Sequence, residues 1–276
     1  MRILTLAIIA ASPLFAQERP IPDSVTLMKE VTRHQREMEK IRENYTCRQI
    51  TQSDELDAKG EVKTSKTEER EVFFVNGHRI GRLVKKDGVE LSDGEQKSEQ
   101  SRVTKLVEQA VKTKARGGNN VLSIGRILAV SKVSDPRRIS VKDRDTIAFD
   151  FVGDPEAEAH SMNQNAGKKM EGMLWIDEAD HQVARLEVTF YENFNIGGGL
   201  LVSIQKGTKL AFEQAPVGDN LWMPSASEQH IAARAFIFDG IRQDVHVKDF
   251  DFHKFNVDSL QEIKQPAPDA PTSTQP

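Results

Sequence analysis

The sequence holds a single cysteine, Cys47, and this scarcity excludes two kinds of protein. One thiol cannot form an intramolecular disulfide, and it cannot build a cysteine-rich zinc or iron–sulfur site. An excess of charge of one sign is also missing, because 38 Lys and Arg face 42 Asp and Glu, giving a formal net charge of −4 over 276 residues. A general binder of polyanions would be basic, so we expect no nucleic-acid partner.

Long hydrophobic runs are scarce as well, which excludes a membrane protein with several spans. The run from Ile3 to Ala11 follows Arg2 and precedes Ser12-Pro13 and Ala16, which is the order of a secretory signal. It is too short to anchor the chain, since a span needs about 20 apolar residues. We therefore predict a signal peptide over residues 1–16, cleaved after Ala16, and a periplasmic protein with no transmembrane segment in the mature chain. The alternative is a buried N-terminal strand.

The C-terminal end is rich in proline and has no large apolar residue after position 264. Such a segment cannot bury enough surface to offset the entropy of ordering. We predict a disordered Pro-rich tail over residues 259–276. No internal repeat or linker interrupts the chain before it, so residues 17–258 are expected to form one domain.

Helical periodicity marks three segments. The first begins at Asp23 or Ser24. The second begins with a capping box, Ser92 and Glu95, and ends at Gly117-Gly118. The apolar stripe of the first consists of Leu27, Val31, Met38, Ile41 and Tyr45.

A third helix is predicted from Asn119 or Asn120 to the residues before Asp135. It is apolar around nearly its whole circumference, so it must be buried on several sides.

Most of the remaining chain alternates between apolar and polar residues and is punctuated by turn signals. Residues 183–190 show this pattern plainly, and Asp239-Gly240 is typical of a tight hairpin turn between two long strands. About ten strands in an antiparallel meander are expected, and sheets of that size tend to curl. The predicted fold class is α+β, a large curved antiparallel sheet, or half-barrel, with helices packed on its concave face.

Three segments carry a resemblance to a known family. They are Glu171–Asp177 (EGMLWID), His181–Glu187 (HQVARLE) and Leu221–Pro224 (LWMP). This pattern resembles the outer-membrane lipoprotein-sorting family, the LolA/LolB-like half-barrels, over roughly residues 171–255. The resemblance implies the half-barrel fold and an apolar cavity that shelters acyl chains. It assigns no binding residue and does not imply that this chain sorts lipoproteins.

Motifs for catalysis or metal binding are missing from the sequence. The seven histidines form no H-x-E, H-x-x-x-H or H-E-x-x-H pattern, and there is no G-x-S-x-G elbow. Gly197–Gly199 precedes a predicted strand and not a helix, so it does not suggest a phosphate loop. Cys47 is followed by Arg48, which could lower its pKa, but a small buried side chain is the default interpretation. We expect no enzyme, no cofactor and no metal site.

The leading hypothesis is an exported soluble carrier or sensor that binds lipid acyl chains or a lipidated protein in a half-barrel cavity. The alternative is a protein-interaction module of the cell envelope, of the stress-signalling regulator type, whose core is filled and whose partner is an envelope protein. A hydrolase is a third and weaker alternative. The residues expected to line the cavity are Ile124, Ile127, Leu128, Trp175, Leu186, Val188, Phe190, Leu201, Phe236 and Phe238.

Overall fold

The computed structural model describes residues 19–112, 123–196, 202–218, 221–235 and 238–254. The predicted signal peptide and Pro-rich tail lie outside these ranges. The helices within them are α1 (Ser24–Arg42), α2 (Asp93–Lys112), α3 (Ile124–Leu128) and α4 (Met162–Gly167).

The described strands all belong to one antiparallel sheet. They are β1 (Tyr45–Leu56), β2 (Val62–Val75), β3 (His78–Lys86), β4 (Val89–Glu90), β5 (Ser131–Val141), β6 (Arg144–Gly153), β7 (Met170–Asp177), β8 (Val183–Phe190), β9 (Phe194–Ile196), β10 (Val202–Ile204), β11 (Lys209–Pro216), β12 (Trp222–Ala235) and β13 (Phe238–Lys254).

The sheet is open and has two meanders joined at its middle. Its strand order is β4-β3-β2-β1-β13-β12-β11-β8-β7-β6-β5, so β4 and β5 are the two edges, and the short β9–β10 pair branches from β12. The join is the pairing of β1 with β13, for example Gln49 opposite Asp249. The β1–β13 pair thus joins strands near the two ends of the described chain, and a second non-consecutive pair, β8 with β11, leaves the short β9–β10 pair outside the main strand order. The predicted α+β class with a large antiparallel sheet is confirmed.

The first two helices begin where the capping residues predict. Asp23 accepts hydrogen bonds from the Thr26 amide and hydroxyl at 2.9 and 2.8 Å. At the start of α2, Glu95 accepts from the Ser92 amide and hydroxyl at 3.0 and 2.8 Å. These bonds satisfy amides that the first helical turn leaves without a backbone partner.

The predicted third helix is wrong in its extent. α3 has only five residues, and Ser131 already begins β5, which continues through Asp135 and Pro136. The middle of the apolar run is buried as expected, with Ile127 and Val130 almost fully inaccessible. At its end, half-buried Val133 lies in a strand and not in a helix, because it pairs with Phe151 of β6.

One face of the sheet carries the main hydrophobic core, and we call it the inner face. On it lie Phe149, Leu186, Val188 and Leu210, which pack against residues of α1, α3 and α4 such as Ile127. Phe190 and Phe194 stack beside them, with ring centroids 6.4 Å apart. The strands that face these helices are β6, β7, β8 and β11.

α2 forms a separate, smaller core. Its Val103 and Ala110 pack on Phe73 and Ile80 of β2 and β3. In antiparallel sheets, directly paired residues point to the same face and neighbours along a strand to opposite faces. Leu210 on the inner face pairs with Gln229, Gln229 pairs with Val245, and Val245 pairs with Ser53 of β1. The pairing of β1 with β2 then puts Val72 on the inner face and Phe73 on the opposite face. α2 is thus the exception to the predicted placement of the helices on one face.

β12 and β13 pair as an antiparallel hairpin, as predicted, but Asp239-Gly240 is not its turn. Ala235 pairs with Phe238 and Ala233 with Ile241, so Asp239-Gly240 lies within β13. The first half of β2, Val62 to Glu68, is difficult to predict from the sequence. It is mostly polar, and both of its faces are exposed or half-buried, so it lacks the alternation of apolar and polar residues that indicates a strand.

Candidate ligand-binding groove

α1 presents two neighbouring stripes to its surroundings. Leu27, Val31, Gln35 and Met38 are buried under the helix. The adjacent stripe includes Val25, which is 62% exposed, together with Met28 and Thr32. The second stripe is partly apolar and is not covered by the protein, so a ligand or a partner could bury it.

That second stripe is one wall of a groove of about 740 Å³. The opposite wall is the end of α3 and the start of β5, with Leu128, Ser131 and Val133. The apolar part of the lining is Val25, Met28, Leu128 and Val133. Volumes of 300–1,000 Å³ are usual for small-molecule sites, so the groove has the size of a ligand site.

The rim of the groove is basic. Its charged lining residues are Lys29, Arg33, Arg36, Glu37, Lys40 and Lys132. Five cations and one anion give these side chains a formal charge of +4, although the whole chain carries −4. Arg33 pairs with Glu37 at 3.0 Å and Lys132 with Asp154 at 3.0 Å.

α1 is held on the sheet by buried amides as well as by apolar contacts. Gln35 donates to Gln182 Oε1 at 3.1 Å and accepts from Gln214 Nε2 at 3.1 Å. Arg42, at the end of the helix, donates to Gln214 and, at 2.9–3.0 Å, to the Trp222 carbonyl oxygen. Burial lowers the pKa of Arg42 to about 10. Its hydrogen bonds go to neutral acceptors, which stabilise the charged guanidinium less than a carboxylate would.

Most of the residues predicted to line a cavity are core residues. Ile127, Leu186, Val188 and Phe190 are at most 2% exposed and belong to the main core. Ile124 is half-buried against the same core. Leu128 joins the core and also lines the groove, so it alone of the described candidates reaches the candidate site.

The other predicted lining residues lie elsewhere. Trp175 is next to Leu174 on β7 and points to the opposite face, where the Arg185 guanidinium lies 5.9 Å from its ring centroid. Leu201 and Phe236 fall outside the described residues, and for Phe238 only the backbone in β13 is described.

Sequence reasoning missed Val25, Met28 and Val133. Val25, Met28 and Thr32 recur at helical spacing next to the main stripe, which is the signal that could have found the first two.

The motif residues behind the family resemblance form a structural cluster at the end of the sheet. Arg144 donates to Asp177 Oδ1 at 2.9 Å and to Asp180 Oδ2 at 2.8 Å, and it lies 5.3 Å from the Trp222 ring centroid. Burial raises the pKa of Asp177, but the Arg144 hydrogen bonds and the amides of Ala179 and Asp180 outweigh burial and keep that pKa below its usual value.

The thiol of Cys47 is half-buried, and its Sγ lies 4.0 Å from Asp249 Oδ1. Burial, together with nearby Asp249, raises its pKa to about 12. Its neighbour on the inner face, Asp249, accepts from Gln49 at 2.7 Å, and burial raises the pKa of this carboxyl. Within the described ranges, no group of three His, Cys, Asp or Glu side chains is arranged to hold a metal ion. None of the described helices combines the length and apolarity needed to cross a membrane.

Comparison with known proteins gives likenesses of structure alone. No family model and no curated protein matches the sequence. Among solved structures, the chain is similar to an outer membrane lipoprotein-sorting protein domain from Vibrio parahaemolyticus, at 7% identity and a TM-score of 0.38, covering 86% of this chain and 100% of that one. It is also similar to a LolA superfamily protein from Nitrosomonas europaea, at 10% identity and a TM-score of 0.36, covering 83% and 96%.

A third similar structure is a DUF1329 family protein from Desulfovibrio piger, at 8% identity and a TM-score of 0.37, covering 83% of this chain and 93% of that one. The first two proteins bear the family name that the sequence motifs resemble. These likenesses concern the fold, and they assign no ligand to this chain.

Proposed function

We propose that the chain is an exported carrier or sensor that binds the apolar part of a lipid, or of a lipidated protein, in the groove between α1 and β5. The supporting observation is the lining of this groove, where exposed Val25 and half-buried Met28 and Val133 present apolar surface next to buried Leu128. Each methylene that a ligand buries there contributes about 0.8 kcal/mol. A long acyl chain therefore needs no specific polar contact to be held.

The ligand site in this proposal differs from the cavity first expected inside the half-barrel. The space beneath α1 and α3 is filled by side chains of the protein, with Ile127 and Leu186 fully buried. A ligand would have to displace them to enter, whereas the α1–β5 groove is open. Export is supported by the signal-like residues 1–16.

A fluorescent fatty acid tests the proposal directly. We expect saturable binding to the purified protein, with Met28→Glu and Val133→Glu each weakening it at least tenfold, because each places a carboxylate on the apolar lining. Val62→Glu is the matched control, since Val62 is 60% exposed on β2 and does not line the groove. Mass spectrometry of the untreated protein should also detect co-purified lipid.

Absence of fatty-acid binding by a well-folded protein, with no co-purified lipid, contradicts a lipid-handling role. Equal affinities for wild type, Met28→Glu and Val133→Glu contradict the groove as the site. Circular dichroism of each variant separates a lost site from a lost fold.

The second candidate function is a protein-interaction module of the cell envelope. It is favoured by the filled core, because a module needs a rigid surface and no cavity. In that case the protein binds no fatty acid, and the same groove variants weaken its association with an envelope protein partner. Fatty-acid binding that is lost in Met28→Glu but kept in Val62→Glu would decide for the carrier.

A further inference from the structure

We infer that the ligand of the α1–β5 groove is a single-chain lipid with an anionic headgroup, held by the basic rim at Arg36 and Lys40. This inference rests on the proposed function, because it specifies the chemistry of the ligand in the same groove. It follows from the combination of an apolar lining and a local charge of +4 on a chain of net charge −4.

The basic residues of the rim fall into two groups. Arg33 and Lys132 already have carboxylate partners, Glu37 and Asp154. Among the described residues, none forms an ion pair within 4.0 Å with Lys29, Arg36 or Lys40, although Lys29 interacts electrostatically with Asp23. Arg36 and Lys40 are therefore the cations most available to a ligand from outside.

The spacing of Lys29, Arg36 and Lys40 suits an amphiphile that lies along the helix. Lys29, Arg36 and Lys40 follow one another at intervals of seven and four residues, so they project from the same side of α1. At about 1.5 Å of rise per residue they cover roughly 16 Å of the groove. The guanidinium of Arg36 can donate two parallel hydrogen bonds to a phosphate or carboxylate, and the ammonium groups add positive charge beside it.

A lipid fits these features better than an acidic protein segment. Val25, Met28, Leu128 and Val133 offer apolar surface along the same groove, and an acyl chain would cover it while the headgroup remains at the basic rim. An acidic segment that made only rim contacts would leave this surface exposed to water. The groove thus favours a ligand that has both an apolar part and an anionic group, and a single-chain anionic lipid has both in one molecule.

The test compares two lysolipids with identical acyl chains below their critical micelle concentrations. Lysophosphatidylglycerol has a net negative headgroup and lysophosphatidylcholine a neutral one. We expect the full chain to bind the anionic lipid about tenfold more tightly at low salt, with the preference shrinking as ionic strength rises. The variant Arg36→Gln/Lys40→Gln should lose most of this preference and keep its affinity for the neutral lipid.

The control is Lys63→Gln, which removes an exposed cation of β2 that lies outside the groove. It should retain the preference of the wild type. An acidic peptide without an acyl chain should not displace the anionic lipid.

Equal binding of both lysolipids, or an undiminished preference in Arg36→Gln/Lys40→Gln, overturns the headgroup assignment and leaves the proposed function standing. Displacement by the acidic peptide at matched concentration also overturns it, in favour of a protein ligand. Binding of neither lysolipid removes this inference together with the proposed function.

Discussion

Trp222 donates its indole N–H to Asp180 Oδ2 at 3.0 Å, and this bond ties the start of β12 to the turn after β7. Arg144 completes the arrangement, because it binds Asp180 and lies over the Trp222 ring. Trp222 is only 1% exposed, so its N–H has to find a partner inside the protein. The cluster fixes the end of the sheet on which α1 is anchored through Arg42.

The Trp222–Asp180 bond predicts unequal effects for the two tryptophans. Trp222→Phe should lower the free energy of unfolding by about 2 kcal/mol, because it removes a hydrogen bond to a charged acceptor. Trp175→Phe is the matched control and should cost less than about 1 kcal/mol, because its ring contacts Arg185 by a cation–π interaction that phenylalanine partly retains. Urea unfolding measures both, and equal losses would contradict a specific role for the indole N–H.

The Asp177–Arg144 pair predicts a loss of stability in acid. The folded pKa of Asp177 lies below its unfolded value, so the ionised carboxylate contributes stability at neutral pH. This contribution begins to disappear as the pH falls below about 4 and is lost once the folded pKa is passed. Asp177→Asn should be less stable than the wild type at pH 7, and the difference should narrow at pH 3. An unchanged difference between the two pH values would show that the charge of Asp177 is not what stabilises this site.

The buried glutamines predict that an apolar replacement is unfavourable beneath α1. Gln35→Leu should lower the free energy of unfolding by about 2 kcal/mol, because Gln182 and Gln214 would each lose a hydrogen-bond partner away from water. The double variant Gln35→Leu/Gln182→Leu should recover part of that loss, since it also removes the Gln182 side-chain amide that the single change leaves without its partner, while Gln214 keeps its hydrogen bond from Arg42. Thermal or urea unfolding of both variants checks this, and a Gln35→Leu protein as stable as the wild type would contradict the network.

The raised pKa of Cys47 predicts that its thiol reacts slowly with thiol reagents in the folded protein. At pH 8 the native protein should react with a thiol reagent at least about 100-fold more slowly than the urea-unfolded chain, because the thiolate is the reactive form. Reaction at the same rate in both states would mean that Cys47 is accessible and ionised in the folded protein.

The sheet was predictable from the sequence wherever one face is apolar and the other is polar. β8 is the clearest case, because Leu186, Val188 and Phe190 are buried and the residues between them are half-buried. Strict alternation predicts that Ala184 joins them, but an irregularity in the β7–β8 pairing at this residue places Val183 in the core instead. The first half of β2 was not predictable, because it is held in the sheet by pairing with β1, and neither of its own faces is buried. The pairing of β1 with β13 also joins segments far apart in the chain, which local periodicity does not reveal.

The family motif was informative about structure, for reasons that the contacts explain. A Cβ at position 172 would clash with the Glu187 carbonyl oxygen, so only glycine fits at Gly172, where β7 and β8 approach each other. Asp177 and Trp222 belong to the cluster around Arg144. These motif residues therefore have structural roles, which agrees with a resemblance that implied a fold and assigned no binding residue.

The candidate site was only partly predictable. Leu128 was identified because apolar runs are expected to be buried, but the same reasoning selected core residues such as Phe190. Val25 is exposed and Met28 and Val133 are half-buried at the edge of the core, and their role depends on α1 and β5 lying side by side. That proximity is a tertiary relationship, which neither segment encodes in its own periodicity.

The most direct measurement is photocrosslinking with a fatty acid that carries a diazirine near the end of its chain, followed by peptide mapping. The groove account predicts that the label is found within Ser24–Lys40 and within residues 128–133, and that excess unlabelled fatty acid removes it. Label confined to the strands at the middle of the sheet, β12, β13 and β1, would contradict the α1–β5 groove as the place where the apolar ligand binds.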